Sequence, residues 1–170
     1  MQREGETRVE DVSFEDLGEV LTDFLEGLLD AFDLDADVEH RLQDDVLVVE
    51  VKGEPNELGI LIGPRGGTLA AIEDLARTVV TQRFLERAAG KTFRIDVGGY
   101  RAFRRQMLEK VAGDAARKVL ESGVACEFTP MNPADRKVVH DVVAAMTGVA
   151  TVSEGEEPLR RVVIVPSDDQ

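Results

Sequence analysis

The sequence of 170 residues is poor in cysteine and in aromatic side chains. It contains one cysteine, one tyrosine and no tryptophan, and aromatic residues make up 5% of the chain. The lone thiol, Cys126, excludes an intramolecular disulfide and a multi-cysteine zinc site, and its apolar neighbours favour an inert, buried side chain. No apolar run approaches the roughly 20 residues of a membrane-spanning helix, and the N-terminus has no signal-peptide pattern. These absences favour a cytoplasmic globular protein without membrane insertion.

Patterns typical of catalytic and metal sites are also missing. The two histidines, His40 and His140, have no cysteine or serine nucleophile nearby and no metal-ligand spacing. This observation concerns neighbours in the sequence and leaves open a catalytic or metal-binding partner of either histidine in a distant part of the chain. We expect no enzyme activity, no cofactor and no metal site.

The net charge of −14 is distributed unevenly along the chain. Residues 1–57 contain 19 Asp and Glu against 4 Lys and Arg, whereas residues 58–170 contain 15 against 16. Within residues 58–140 the balance is 9 acidic against 14 basic side chains. The acidity therefore belongs to the first third, and the mildly basic remainder is compatible with an anionic partner.

The first half of the chain shows helical and strand periodicity in a definite order. Ser13 and Asp16 predict a capped helix, whose outward residues are acidic. A Gly-rich loop, LGILIGPRGGTL over residues 58–69, interrupts the second helical stretch, and Gly98-Gly99 marks a domain boundary. The predicted elements are a helix over 14–32, strands over 36–42 and 46–52, a helical turn over 58–62, a helix from about 68 to a stop at Gly90, and a strand over 91–97. A hairpin turn is predicted between the first two strands, and residues 53–56 close the second. This order predicts an α+β unit with a three-stranded sheet and helices on one face.

Gly63, Pro64, Arg65 and Gly66 form a GxxG element, which Gly67 follows directly. Glycines have no side chain to hold a phosphate away, so we expect the loop to offer it bare backbone N–H groups, and Arg65 adds a positive charge. The loop lacks the Lys-Ser or Lys-Thr of a nucleotide-hydrolysing P-loop. A GxxG pair on its own is weak evidence for a phosphate-binding loop, because a simple turn between two helices can have the same glycine spacing.

With its flanking elements, however, this segment resembles the type II KH domain over residues 14–97. In that family the GxxG loop and its neighbours clamp about four unpaired nucleotides. The resemblance implies a nucleic-acid contact at Gly63, Pro64, Arg65, Gly66 and Gly67. Pro64 departs from the family pattern, which usually has a polar or basic residue there.

The second half predicts a smaller α+β unit. A helix over 101–122 carries Phe103, Met107, Val111, Ala115 and Val119 at four-residue spacing, and Asn132 and Pro133 are suited to start another helix. The remaining predicted elements are a strand over 125–129, the helix over 133–146, and strands over 149–153 and 159–165. We expect a disordered lead-in over 1–12, a first domain over 13–98, a second over 99–166 and a frayed tail over 167–170.

Arg136 and His140 lie four residues apart, so a helix places both on one face. The alternative to a functional pair is a surface arginine that lies beside a histidine by chance. The runs over 130–140 and 152–158, with Arg160 and Arg161, resemble the R3H domain, a small unit that binds single-stranded nucleic acid. The resemblance implies contacts from Arg136 and His140 and, further, from Lys137, Arg160 and Arg161.

A KH domain followed by an R3H domain resembles the bacterial Jag/KhpB family over residues 14–166. Members commonly carry a further N-terminal Jag domain, which this sequence does not show. The resemblance implies binding of single-stranded RNA, with single-stranded DNA left open, and partnership with a small single-KH-domain protein. The alternative is an adaptor that engages a protein through its acidic N-terminal helix. Competition between the N-terminal acidity and RNA for the basic segment is a third interpretation.

Overall fold

A computed structural model describes residues 11–88 and 90–167 of the chain. The chain divides into two compact units between Tyr100 and Arg101, whereas we expected the boundary after Gly98. Most of the predicted lead-in and tail lies outside the described residues. At the inner ends of these two segments, Val12 is buried and the Ser167 N–H donates to the Gly148 carbonyl at 3.0 Å.

The first unit has the element order of a type II KH domain. Its elements are α1 (Phe14–Ala31), β1 (Ala36–Gln43), β2 (Val46–Gly53), α2 (Pro55–Ile62), α3 (Gly67–Phe84) and β3 (Thr92–Val97). The strand order is β1-β2-β3, in which β1 and β2 are antiparallel and β2 and β3 are parallel. This mixed sheet confirms the predicted fold class.

Local sequence explains where these elements begin. The Ser13 hydroxyl accepts the Asp16 N–H at 3.0 Å, and the Asp16 carboxylate accepts the Ser13 N–H at 2.9 Å, so the predicted capping box starts α1. At the β1–β2 turn, Asp44 and Asp45 both adopt positive φ, which aspartate tolerates better than most residues. The predicted hairpin is confirmed.

Two helix ends differ from expectation. We predicted that residues 53–56 close the second strand, and β2 does end at Gly53, but α2 already begins at Pro55, because proline suits the first position of a helix. We also expected the following helix to continue to Gly90. Instead α3 ends at Phe84, where Leu85 turns to φ 54°, and a 3₁₀ turn covers Leu85–Ala88.

The core of the first unit lies between one face of the sheet and the helices. Alternate residues of β2 face this core, and α1 contributes residues at helical spacing. Buried members are Leu17, Leu21, Leu25 and Leu29 of α1, Leu47, Val49 and Val51 of β2, Leu58 and Leu61 of α2, Leu69, Ile72, Ala76 and Val80 of α3, and Ile95 and Val97 of β3. The helices therefore cover one face of the sheet, as predicted.

The second unit is a small α+β domain. Its elements are α4 (Tyr100–Ser122), β4 (Cys126–Glu127), α5 (Pro133–Ala144), β5 (Val149–Glu154) and β6 (Arg161–Pro166), and the antiparallel sheet has the order β4-β6-β5. The five apolar residues that follow each other at four-residue spacing along α4 do not share one environment. Ala115 and Val119 are buried, but Phe103, Met107 and Val111 are exposed. Cys126 is half-buried against the core. Of the helices that the structure describes, none is long and apolar enough to cross a membrane.

Candidate nucleic-acid interface

The GxxG segment forms a tight turn between α2 and α3. Gly63 ends α2 with φ 68° and ψ 178°, a 3₁₀ turn spans Pro64–Gly66, and Gly67 begins α3 with ordinary helical angles. Inside the turn, Arg65 (φ 56°) and Gly66 (φ 79°) both adopt the left-handed conformation. Glycine supplies this conformation at little cost, whereas Arg65 adopts it against the preference of its side chain.

The N–H groups of all three motif-segment glycines already have backbone acceptors. The Gly63 N–H donates to the Gly59 carbonyl at 2.9 Å, and the Gly66 N–H donates to the Gly63 carbonyl at 3.2 Å. The Gly67 N–H donates to the Pro64 carbonyl. We expected these N–H groups to be bare, and that expectation was wrong: the last turn of α2 pairs the Gly63 N–H, and the 3₁₀ turn pairs those of Gly66 and Gly67.

The two motif glycines make room for neighbouring side chains. A Cβ placed on Gly63 would lie 2.7 Å from the Cβ of Thr68, and one placed on Gly66 would lie 2.9 Å from Cε1 of Tyr100. By contrast, a Cβ on Gly67 would meet nothing within 4 Å. Gly63 and Gly66 are therefore required by the packing of the turn itself, and Gly67 faces open space.

The turn presents the N-terminal end of α3 to solvent. Pro64, Arg65 and Gly67 are exposed. The N-cap of α3 is Gly66, which offers no capping side chain, whereas α1 and α5 are capped by Ser13 and Asn132. A helix start without a capping side chain, beside an exposed arginine, is electrostatically suited to an anion.

In the second unit, Arg136 holds the start of α5 to a distant turn. Asn132 caps this helix by accepting the Asp135 N–H at 2.8 Å, as predicted. The Arg136 side chain is only 10% exposed. Its Nη1 donates to the Met131 carbonyl at 2.7 Å, and its Nη2 donates to Glu157 Oε1 at 2.5 Å. We predicted that Arg136 contacts nucleic acid; in the structure both terminal nitrogens of its guanidinium group are engaged within the domain.

His140 is likewise tied into the domain. Its Nδ1 lies 2.6 Å from the Thr151 hydroxyl and its Nε2 lies 2.9 Å from the Ser153 hydroxyl. Thr151 and Ser153 alternate along β5, so they face the same side of the strand. We did not single out these two partners, although polar residues at alternate positions of the strand, on either side of Val152, were a signal for a shared polar neighbour.

The other three predicted residues differ in accessibility. Lys137 is exposed, and its Nζ lies 2.7 Å from Asp141 Oδ2 in a surface pair. Arg160 is exposed in the turn before β6. Arg161 is half-buried, with Nη2 at 3.2 Å from Glu127 Oε2 and 3.6 Å from Glu154 Oε2. Lys137 and Arg160 are thus available to a ligand, while Arg161 bridges the three strands of its sheet.

Nothing in the described part of the chain suggests a metal centre, since no three His, Cys, Asp or Glu side chains come together there. Each unit carries its own candidate surface. In the first it is the turn around Arg65 and Gly67, and in the second it is the exposed basic side chains around α5 and β6.

Comparison with known proteins agrees with the presence of two separate units. The R3H domain matches residues 106–166. The chain is 34% identical over 152 residues to RNA-binding protein KhpB of Clostridium symbiosum, covering 88% of this chain and 66% of that protein. It is 34% identical over 134 residues to RNA-binding protein KhpB of Streptococcus pneumoniae (76% and 39%), and 30% identical over 145 residues to that of Bacillus subtilis (83% and 66%).

A type II KH unit followed by an R3H domain defines a two-module KH–R3H protein. With relatives of this similarity along most of its length, the chain belongs to the Jag/KhpB family. It spans 66% of the length of the C. symbiosum and B. subtilis relatives and 39% of the S. pneumoniae relative.

Proposed function

We propose that the chain is a non-catalytic, cytoplasmic protein that binds single-stranded RNA through both units. The observation that carries the proposal is the GxxG turn, where an exposed arginine lies beside the uncapped start of α3. The name of the curated relatives, RNA-binding protein, supports the same ligand class. Single-stranded DNA is the competing ligand that a direct comparison would test.

In the first unit, Arg65 and the start of α3 at Gly67 contact the phosphate backbone. Gly63, Pro64 and Gly66 set the shape of the turn that presents them. Because the amides of the turn are paired internally, the positive end of α3 and the Arg65 charge supply most of the attraction. Binding at this turn therefore depends on charge more than on bare N–H groups.

In the second unit, Lys137 and Arg160 make the direct contacts. A phosphate can replace Asp141 beside Lys137 at little cost, because an exposed ion pair contributes at most about 1 kcal/mol. Arg136, His140 and Arg161 act indirectly, since they hold α5, β5 and β6 in place. Two weak contacts on one chain gain affinity from each other when one strand can reach both.

Substitution of Gly67 tests the first contact without disturbing the turn. Gly67→Glu adds a negative charge where there is open space and ordinary helical backbone. We expect fluorescence anisotropy with labelled single-stranded RNA to show about fivefold weaker binding, as a nearby like charge costs on the order of 1 kcal/mol in water. Gly27→Glu, in open space on α1, is the matched control. Equal affinity of both variants would exclude the turn as a contact.

The second contact is tested by the pair Lys137→Ala/Arg160→Ala. Its control is Arg117→Ala/Lys118→Ala, which removes two positive charges elsewhere in the same unit. We expect only the first pair to reduce the salt dependence of binding, in which log K falls by about 0.7 per log unit of salt for each phosphate neutralised. An identical salt slope in both pairs would remove Lys137 and Arg160 from the site.

A second candidate function is that of a protein adaptor, favoured by the outer face of α1. This face exposes six acidic side chains: Glu15, Asp16, Glu19, Asp23, Glu26 and Asp30. A basic protein suits such a face, and a small single-KH-domain protein is the further partner that the family resemblance implies. Pull-down with and without nuclease separates the two functions. Partners that survive nuclease, together with no binding of free RNA, would favour the adaptor.

A further inference from the structure

The first three turns of α4 expose a face that contributes nothing to the core. Phe103, Met107 and Val111 are 62%, 44% and 46% exposed. They follow each other at four-residue spacing and so lie on one side of the helix. The buried side of α4 consists of other residues, among them Leu108 and Ala112. The exposed face is therefore surplus to the packing of the second unit.

Phe103 is the most prominent residue of this face. It is the most exposed of the seven phenylalanines, all of which lie within the described residues. An aromatic ring presented to water in this way is suited to stacking, because every nucleobase has a flat π-face. The chain has no tryptophan and a single tyrosine, so such a ring is a scarce feature here.

Charge around Phe103 favours an anionic ligand. Lys110 lies seven residues along α4 and hence on the same side of the helix. Within residues 103–111 the one carboxylate is Glu109, and it pairs with Arg105 at 2.8 Å. These turns thus combine an exposed aromatic ring with a nearby lysine and no unpaired carboxylate. This combination matches an unpaired nucleotide better than an acidic or neutral peptide helix, because such a helix would need a longer apolar strip to pack against.

We propose that Phe103 stacks on an unpaired base of bound RNA, with Lys110 beside the adjoining phosphates. This inference rests on the proposed RNA-binding function and adds a contact outside the GxxG turn and before the matched R3H segment, residues 106–166. Met107 and Val111 extend the apolar surface next to the base. The contact is indifferent to sequence, since stacking does not read base edges.

The absence of tryptophan permits a direct optical test. Phe103→Trp introduces a single indole, whose emission a stacked base quenches. We expect quenching on titration with a single-stranded RNA of about 12 nucleotides, within the usual site sizes. Phe32→Trp, at another exposed phenylalanine in the first unit, is the matched control and should keep its emission.

Affinity provides the second readout. We expect Phe103→Ala to weaken RNA binding about tenfold, in line with the loss of one stacked base, and Phe103→Tyr to bind like the wild type. Unchanged affinity of Phe103→Ala alongside normal wild-type binding would overturn the stacking contact alone. A change in sedimentation mass without a change in affinity would make this face a protein interface and also overturn it. Failure of the wild type to bind any single-stranded RNA would overturn the proposed function, and this contact with it.

Discussion

The ring of Tyr100 occupies the space into which a side chain on Gly66 would project, with Cε1 2.9 Å from an added Cβ. Gly66 also has φ 79°, which costs other residues about 1–2 kcal/mol. We therefore expect Gly66→Ala to lower the free energy of unfolding by about 2 kcal/mol. Gly67→Ala, one residue later, should instead stabilise by about 0.5 kcal/mol, because its backbone is helical and its surroundings are open.

Urea unfolding followed by circular dichroism measures both changes. The two neighbouring glycines make a sharp comparison, since the substitution is the same and only the surroundings differ. A similar effect of both substitutions would contradict the packing of Tyr100 against the turn.

This turn also shows how far the sequence predicts the site. Glycine spacing and element order identified the turn and its place between two helices, because residue type and periodicity carry that information. The pairing of the Gly66 and Gly67 amides was not predictable in the same way. It depends on the left-handed backbone at Arg65, which arginine rarely adopts.

Arg136 and Lys137 are adjacent but should differ in their importance for stability. Removal of the Arg136 side chain leaves the Met131 carbonyl and the Glu157 carboxylate without their donors. We expect Arg136→Ala to destabilise the second unit by about 2 kcal/mol, the range for hydrogen bonds to charged groups. Lys137→Ala removes only an exposed pair and should cost less than about 0.5 kcal/mol.

Thermal or urea unfolding of the two variants tests the assignment. Comparable stability of Arg136→Ala and Lys137→Ala would mean that the buried guanidinium adds nothing to the fold.

His140 and Thr151 should be energetically coupled. The ring Nδ1 and the hydroxyl are 2.6 Å apart, and side chains in one hydrogen-bonded network show coupling energies of about 0.5–3 kcal/mol. A double-mutant cycle of His140→Ala and Thr151→Val measures this coupling through unfolding free energies. Val152→Ala, on the opposite face of β5, combined with His140→Ala should be additive. Additivity in both cycles would contradict the network.

The second unit shows the limit of periodicity as a guide. The R-x-x-x-H spacing placed Arg136 and His140 on one helix, but it carries no information about Glu157 or Thr151, which approach only after the chain has folded. In α4 the four-residue spacing drifts around the helix, because an α-helix has 3.6 residues per turn. The stripe therefore begins at exposed Phe103 and ends at buried Val119.

Glu50 should make the stability of the first unit depend on pH. The hydrogen bond from Arg41 lowers the pKa of the Glu50 carboxyl below its ordinary value of 4.5, with burial opposing the shift and nearby Lys52 and Arg94 assisting. A carboxyl with a lowered pKa stabilises the folded state above its unfolded pKa, and this stabilisation is lost as pH falls through the folded value. Glu50→Gln should therefore flatten the fall in unfolding free energy below about pH 4.5. Glu26→Gln, which removes a carboxylate from the exposed face of α1, is the control for net charge. Parallel pH profiles of wild type and Glu50→Gln would show that the Arg41–Glu50 pair does not contribute to the acid sensitivity of the fold.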